Sequence, residues 1–323
     1  MKALHSWLLT EGAHGMISQV EGLAKALNTT FDHKKVKLPF YSKFLPPIIT
    51  PKNRAFFNYK QLTQDIAVIP DFLISCGRKS VIANVVLKKI FEKKYNKVIQ
   101  NIHIQDPKIS SKFFNFVITP EHDNPLTGRN VLISRGALHY LNEEDVKNTN
   151  LKKEKVITCI LGGPNKYYDF FFKDMESIFN QLIGLNNISR VNVIASRRTP
   201  SDVFEKLRLV FNDKKFNYDY SLQKINYTKS LAEASHIFVT CDSTSMISEA
   251  AITGKPIYIV KLKNIKNDYR FKRFFNLFKD LGIIRFFEGS IDNWTYEKLY
   301  ETKRISKIII RKTNEHFKIC KEQ

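Results

Sequence analysis

Apolar residues along this chain fall into two alternating textures. Short β-branched and aromatic runs at 3–9, 72–76, 98–104, 116–119, 156–161, 191–195 and 237–241 read as buried strands. Between them, apolar residues recur at helical spacing over 18–27, 81–91, 174–183 and 202–211. Strand and helix in alternation predict a parallel α/β fold. At 141–155, LNEEDVKNTNLKKEK, apolar content collapses and charge takes over, so this segment reads as a linker between two Rossmann-like domains, 1–145 and 146–323. The last helix, 296–318, is expected to return across the linker and cap the first domain. No internal repeat is visible.

The most informative stretch is 237–260, IFVTCDSTSMISEAAITGKPIYIV, which reads as strand, hydroxyl-rich turn, short helix and second strand. Asp242, Ser243, Thr244 and Ser245 form an N-cap cluster where the apolar spacing changes to Met246, Ile247, Ala250 and Ala251; Gly254 and Pro256 stop the helix. A helix N-terminus presents unpaired N–H groups and roughly half a positive charge, and the neighbouring hydroxyls suit a phosphate or diphosphate. Glu249 shares that face. With Thr244 or Ser245 as N-cap it lies beyond the capping-box position, which leaves its carboxylate without a structural task and available to two sugar hydroxyls. The competing reading is a cap that stabilises the helix by about 1 kcal/mol and binds nothing.

In open parallel sheets, ligands gather outside the carboxyl ends of the strands. In the second domain those ends carry Gly162 and Gly163, which would let backbone approach a phosphate, and Arg197 and Arg198, which could pair with phosphate or stack on a base. A tight turn and two solvated arginines are the alternatives. No GxxxxGK[ST] loop occurs, which argues against ATP hydrolysis of that type. In the first domain, Glu11, Gly12, His14 and Gly15 occupy the first βα loop, and Arg78, Lys79 and Ser80 the next. His14 is a candidate general base toward an acceptor hydroxyl, because imidazole titrates near neutral pH; simple exposure is the alternative. Glu11, His103 and Asp106 in HIQDP, and Glu121, His122 and Asp123 in PEHD are further acid–base candidates. For the HIQDP and PEHD groups the spacing does not choose between that role, metal ligation and turn formation.

At 323 residues with 43% apolar content, the chain can bury two cores of ordinary size. Its longest apolar runs fall far short of the roughly 20 residues that cross a bilayer, and the N-terminal stretch is too weakly apolar for a signal peptide, so a cytoplasmic protein is expected. Cys76, Cys159, Cys241 and Cys320 are widely spaced and form no Cys/His cluster, so neither metal nor disulfides are expected. The net charge of +21 favours anionic partners. Lysine is spread along the chain among Asn and Ile, as AT-rich coding would produce, and no nucleic-acid-binding signature appears, so no nucleic acid partner is expected. At 269–287, YRFKRFFNLFKDLGIIRFF, aromatic residues mingle with Lys and Arg. This reads either as a basic amphipathic face for an anionic membrane or lipid-linked substrate, or as a helix packing its Phe stripe on the core.

The blocks LTEGAHGMISQVEGLAKAL, NIHIQDP, TPEHDNPL, SRGALH, LGGPNKYY, SRRTP and VTCDSTSMISEAAITGKP stand in the order, and at about the spacing, of the Elm-type mitochondrial fission family of plants and bacteria. The chain resembles that family over nearly its whole length; DSTSMISEAAITGKP and SRRTP are the specific blocks. The resemblance implies a GT-B-like α/β fold, with two Rossmann-like domains facing across a cleft. It implies that the loop and helix at 242–249 hold the diphosphate of a nucleotide-sugar and that Glu249 binds the ribose. The acceptor would enter on the N-terminal side, where His14 or Glu11 would serve as base. It also leaves an alternative, a non-catalytic adaptor that binds a membrane or protein partner, since the plant relative brings a dynamin-related protein to mitochondria.

The expected activity is a metal-independent glycosyl transfer from a nucleoside diphosphate sugar, a co-substrate rather than a cofactor, to a hydroxyl of an envelope or lipid acceptor. The helix dipole and the arginines would neutralise the leaving diphosphate. The expected partners are the nucleotide-sugar and an anionic membrane surface or lipid-linked acceptor on the inner face of the membrane; the sequence names no protein partner.

Overall fold

The computed structural model describes residues 3–319 apart from 43, 126, 148, 150–153 and 186, so part of the expected linker, and Cys320, lie outside the described residues. The chain forms two compact units, Met1–Tyr140 with Tyr300–Gln323, and Leu141–Leu299.

The first unit runs β1 (His5–Thr10), α1 (His14–Ala26), β2 (Thr30–Lys35), α2 (Tyr59–Leu62), β3 (Phe72–Cys76), α3 (Val81–Tyr95), β4 (Gln100–Ile104), β5 (Phe116–Pro120) and β6 (Val131–Ser134). The strands form one parallel sheet in the order β2-β1-β3-β4-β5-β6. β1, β3, β4 and β5 are buried throughout, as strands covered on both sheet faces are, with Gln100, Asn101 and His103 of β4 buried beside Ile102 and Ile104. Trp7, Leu9 and Leu73 face Val86, Leu87 and Phe91 of α3, while Leu8, Ile74 and Ile102 face Val20 and Leu23 of α1. The register sets Leu73 beside Trp7 and Ile74 beside Leu8, so the period-2 alternation builds two cores. α1 begins at His14 rather than 18, because Ala13 caps it without a side-chain bond and Gly15 sits inside its first turn.

The second unit continues with β7 (Val156–Leu161), α4 (Phe172–Gly184), β8 (Arg190–Ala195), α5 (Ser201–Val210), β9 (Phe216–Asp219), α6 (Lys224–Glu233), β10 (His236–Thr240), α7 (Thr244–Ala251), β11 (Ile257–Val260), α8 (Tyr269–Asp280) and β12 (Ile284–Phe286). Its parallel order is β12-β11-β10-β7-β8-β9. On α8, Phe271, Phe274, Phe275 and Phe278 are all buried, with the Phe274 and Phe278 rings 4.1 Å apart. Of the two readings of 269–287, the packed stripe is the one the structure bears out: the four Phe rings of α8 are core, while Tyr269, Lys272, Arg273, Asn276, Lys279 and Asp280 are exposed. Among the described residues no helix is long and apolar enough to cross a membrane.

α9 (Glu301–Ile319) packs in the first unit. It starts at Glu301 rather than near 296, after a stretch without regular structure. Ile305 and Ile309 are fully buried beside Val20 and Leu23 of α1. The Glu301 carboxylate accepts from the Arg135 N–H at 2.8 Å and from Arg304 at 2.7 Å. The Thr302 hydroxyl accepts from the His139 N–H at 3.1 Å and donates to the His139 carbonyl at 3.0 Å.

Candidate functional site

Counted from its own start, the second unit has strand order 3-2-1-4-5-6, the order of doubly wound dinucleotide-binding sheets. The chain leaves β7 to build β8 on one side and returns to build β10 on the other, so the crevice opens between the carboxyl ends of β7 and β10. Gly162 and Gly163 follow β7, Asp242 and Ser243 follow β10, and Arg197 and Arg198 follow the adjacent β8.

Asp242 ties these loops together. It is 3% exposed. Its carboxylate accepts from the Gly163 N–H at 3.1 Å, the Thr240 hydroxyl at 2.6 Å and the Arg198 guanidinium at 2.5 Å. The Gly162 N–H donates to the Thr240 hydroxyl at 2.7 Å, and the Thr199 hydroxyl donates to the carbonyls of Leu161 at 2.8 Å and Gly162 at 2.7 Å. Asn165 donates to the Asp242 carbonyl at 3.0 Å. Burial pushes the Asp242 carboxyl up, while Arg198, Thr240 and Gly163 pull it back.

The two glycines differ from their expected part. A Cβ on Gly162 would lie 2.1 Å from the Asp242 carboxylate, and one on Gly163 would lie 1.9 Å from the Arg198 carbonyl oxygen. Both N–H groups already have protein acceptors, so these positions are bare to admit Asp242 and the Arg198 loop. Arg198 likewise faces Asp242 rather than standing free for a phosphate. Arg197 is exposed and pairs with no carboxylate among the described residues.

The N-cap of α7 is Ser243, not Thr244 or Ser245; its hydroxyl accepts from the Met246 N–H at 3.3 Å. Thr244 and Ser245 thus occupy the first turn, where backbone N–H groups have no intrahelical acceptor. Glu249 is buried, and its Oε2 accepts from the Tyr227 hydroxyl of α6 at 2.9 Å. The carboxylate therefore has a structural task after all, one that fixes its orientation at the site.

In the first unit the corresponding crevice lies between the carboxyl ends of β1 and β3. It brings together Glu11 and Lys79, whose ammonium donates to the Glu11 carboxylate. His14 is exposed at the start of α1, its ring edge-on to Tyr140 at 6.4 Å. Asp106 follows β4, two strands from β1, and accepts from the Lys108 N–H at 2.8 Å and ammonium at 2.6 Å. Burial pushes its carboxyl up, but these Lys108 bonds outweigh that and hold it below the ordinary range. Asp106 is thus a turn former with its acceptor capacity engaged, and no contact joins it to Glu11 or His14 among the described residues.

His103 is corrected as an acid–base candidate. It is fully buried, and its Nδ1 lies 2.8 Å from the Ser75 hydroxyl, which also receives the Asn84 amide at 2.6 Å. Burial lowers its pKa to about 3, against a small opposing pull from Asp106. His122 is buried with Nε2 3.5 Å from Asp123. Among the described residues no group of three or more His, Cys, Asp or Glu is placed to hold a metal ion. Cys76, Cys159 and Cys241 are free and buried; burial pushes their thiols up, that of Cys241 to about 12. Sequence reasoning missed Asp242 as a hub, and missed Thr199, Thr240 and Tyr227. An acid at a strand end directly before Ser-Thr-Ser was the available signal for the first.

The family described as Mitochondrial fission ELM1 matches residues 14–313. Uncharacterized protein RP120 of Rickettsia prowazekii (strain Madrid E) is 27% identical over 356 residues, covering 95% of this chain and 98% of that one. Mitochondrial fission protein ELM1 of Arabidopsis thaliana is 27% identical over 270 residues, 72% of this chain and 61% of its own length. Among solved structures, a putative UDP-N-acetylglucosamine 2-epimerase from Listeria monocytogenes superposes with a TM-score of 0.56 at 12% identity, covering 98% of this chain and 97% of that one. The glycotransferase of kitacinnamycin gives 0.53 at 10% identity, over 96% and 99%. The S. aureus MnaA–UDP co-structure gives 0.52 at 12% identity, over 95% and 88%. These likenesses show a GT-B-like fold of two Rossmann-like units, similar to that of glycosyltransferases and UDP-sugar epimerases.

Proposed function

We propose that this chain, which belongs to the mitochondrial fission ELM1 family, binds a nucleoside diphosphate sugar on its second unit and transfers the sugar to a hydroxyl of an envelope or lipid acceptor. The observation that carries this reading is the N-terminus of α7 at the strand-order switch, where the first-turn amides of Thr244 and Ser245 have no intrahelical acceptor. A diphosphate there meets aligned N–H donors, the Ser243–Ser245 hydroxyls and Arg197 on the loop that Arg198 anchors to Asp242. The same groups neutralise the charge that grows on the leaving diphosphate, so no metal is required. Glu249, oriented by Tyr227, accepts from the ribose hydroxyls.

The acceptor falls to the first unit. His14 takes the acceptor proton, and Lys79 anchors the Glu11 carboxylate of the same loop. A neighbouring fold carries UDP in its solved structure, which makes UDP the first nucleotide to try. Calorimetric titration with UDP, GDP, ADP and their sugars tests the reading. Binding of one of them, weakened roughly tenfold to a hundredfold by Glu249→Ala, supports it; binding of none overturns it.

One observation favours a second reading, a non-catalytic adaptor: the amides of Gly162 and Gly163 and the Arg198 guanidinium are satisfied within the protein. A chain that binds no nucleotide but retains a protein partner when Glu249 is replaced fits that reading instead.

A further inference from the structure

We propose that residues 38–42 and 44–54 of the first unit form a membrane-docking surface, and that its occupant is the interface of a bilayer containing anionic lipid. Five large apolar side chains cluster there in exposed positions: Phe40 at 77%, Tyr41 at 59%, Phe44 at 78%, Ile48 at 68% and Ile49 at 62%. Scattered exposed apolar residues are ordinary, but a run of this density marks an interaction surface.

The loop is already built in the shape that presents them. The Tyr41 hydroxyl donates to the Ala55 carbonyl at 2.6 Å, the Ser42 hydroxyl to Pro39 at 3.1 Å and the Thr50 hydroxyl to Pro46 at 2.9 Å. Asn58 braces the segment from behind, accepting from the Lys37 N–H at 2.8 Å and donating to the Lys35 carbonyl at 3.1 Å. Pro39, Pro46, Pro47 and Pro51 limit its alternatives. Phe40 and Phe44 rest edge to face at 6.1 Å while staying in solvent.

Charge selects the occupant. Between Asp32 and Asp65 the sequence contains Lys34, Lys35, Lys37, Lys43, Lys52, Arg54 and Lys60, and no Asp or Glu. Lys52 and Arg54 continue into a cavity of about 740 Å³ that also takes Lys88, Lys89, Lys93 and Lys112, with Glu92 as its one carboxylate. The Lys52 ammonium lies over the Phe113 ring, 4.6 Å from its centroid. Exposed apolar side chains on a segment whose charges are all cationic match the acyl boundary and headgroup layer of an anionic leaflet. A protein partner would have to supply a purely acidic rim around an apolar pocket, for which nothing in the loop selects.

The test is flotation of the full chain with phosphatidylcholine vesicles, with and without phosphatidylserine. The expected result is binding to the mixed vesicles that weakens with salt, and a partition coefficient roughly tenfold lower for Phe40→Ser with Phe44→Ser at an unchanged unfolding midpoint. Phe44→Trp should shift its emission to the blue on mixed vesicles. Failure of the wild-type chain to float, or equal flotation of the double variant, overturns the proposal. So does a dimer in light scattering that the double variant dissolves, since the face then joins two copies. Vesicle binding is independent of the nucleotide site, so either result can stand without the other.

Discussion

Replacing Asp242 with alanine removes the acceptor on which three strand-end loops converge. Its carboxylate takes hydrogen bonds from the Gly163 N–H, the Thr240 hydroxyl and Arg198. Gly163 and Thr240 are buried neutral donors, and each left unpaired costs about 1–3 kcal/mol. Arg198 has 39% of its side chain exposed and regains water, which limits its share to about 1 kcal/mol. The expected loss is roughly 3–7 kcal/mol, overlapping the range for breaking a buried ion pair from one side. Urea unfolding measures it, followed by Trp294 fluorescence in a Trp7→Phe background, because the chain has two tryptophans and only Trp294 belongs to the second unit. Adding Arg198→Ala should cost about 1 kcal/mol less than the two single losses predict, the signature of a shared contact. A loss under about 1 kcal/mol for Asp242→Ala, or strict additivity, would refute the hub.

Three other outcomes follow from the same geometry. His103 is held neutral by burial with a pKa of about 3, below its unfolded value of 6.5. Its contribution is therefore complete above pH 6.5 and is lost as pH falls toward 3, at up to roughly 1.4 kcal/mol per pH unit; denaturation at a series of acidic pH values should show a slope that His103→Asn flattens. Phe274→Ala should destabilise by about 3–5 kcal/mol, since its ring is fully buried, whereas Phe44→Ala should stay within about 0.5 kcal/mol; thermal melts of the two variants separate core aromatic from docking aromatic. Ser243→Ala should cost about 1 kcal/mol of stability through loss of the α7 cap, as read by urea unfolding.

The interior of each sheet was legible in the sequence, and its rim was not. β1, β3, β4, β5, β7, β8, β10 and β11 are buried almost throughout because each is flanked by strands on both sides and covered on both faces, and all but β4, QNIHI, are dominated by apolar residues. The four strands that escaped, TFDHKK, VLIS, FNYD and IRF, are the two edges of each sheet. An edge strand has one neighbour and one wet flank, so TFDHKK, FNYD and IRF admit charge and lose the run that signals burial, whereas VLIS is uncharged and was not hidden in this way.

Helix starts were hidden where no capping side chain marks them, as at Ala13. At the site, the cap and helix at 243–251 were readable because every interaction that forms them is local. The Gly163–Arg198–Asp242 network was not, since its members stand 35, 44 and 79 residues apart. Tyr227 escaped with its helix: KINYTKSLAE is largely exposed in its first turn and has no strong apolar stripe. The apolar loop at 40–49 has no period at all, so only the structure shows that its rings face solvent.

The central claim is that a nucleoside diphosphate sits against the first turn of α7. Amide hydrogen exchange of the chain, with and without UDP, GDP or ADP at saturating concentration, reads that turn directly. The account predicts slowed exchange at Thr244 and Ser245 for at least one nucleotide, with Glu249→Ala requiring roughly tenfold to a hundredfold more nucleotide for the same protection. Unchanged exchange at both amides with every nucleotide, or protection confined to residues away from 243–249, would contradict it.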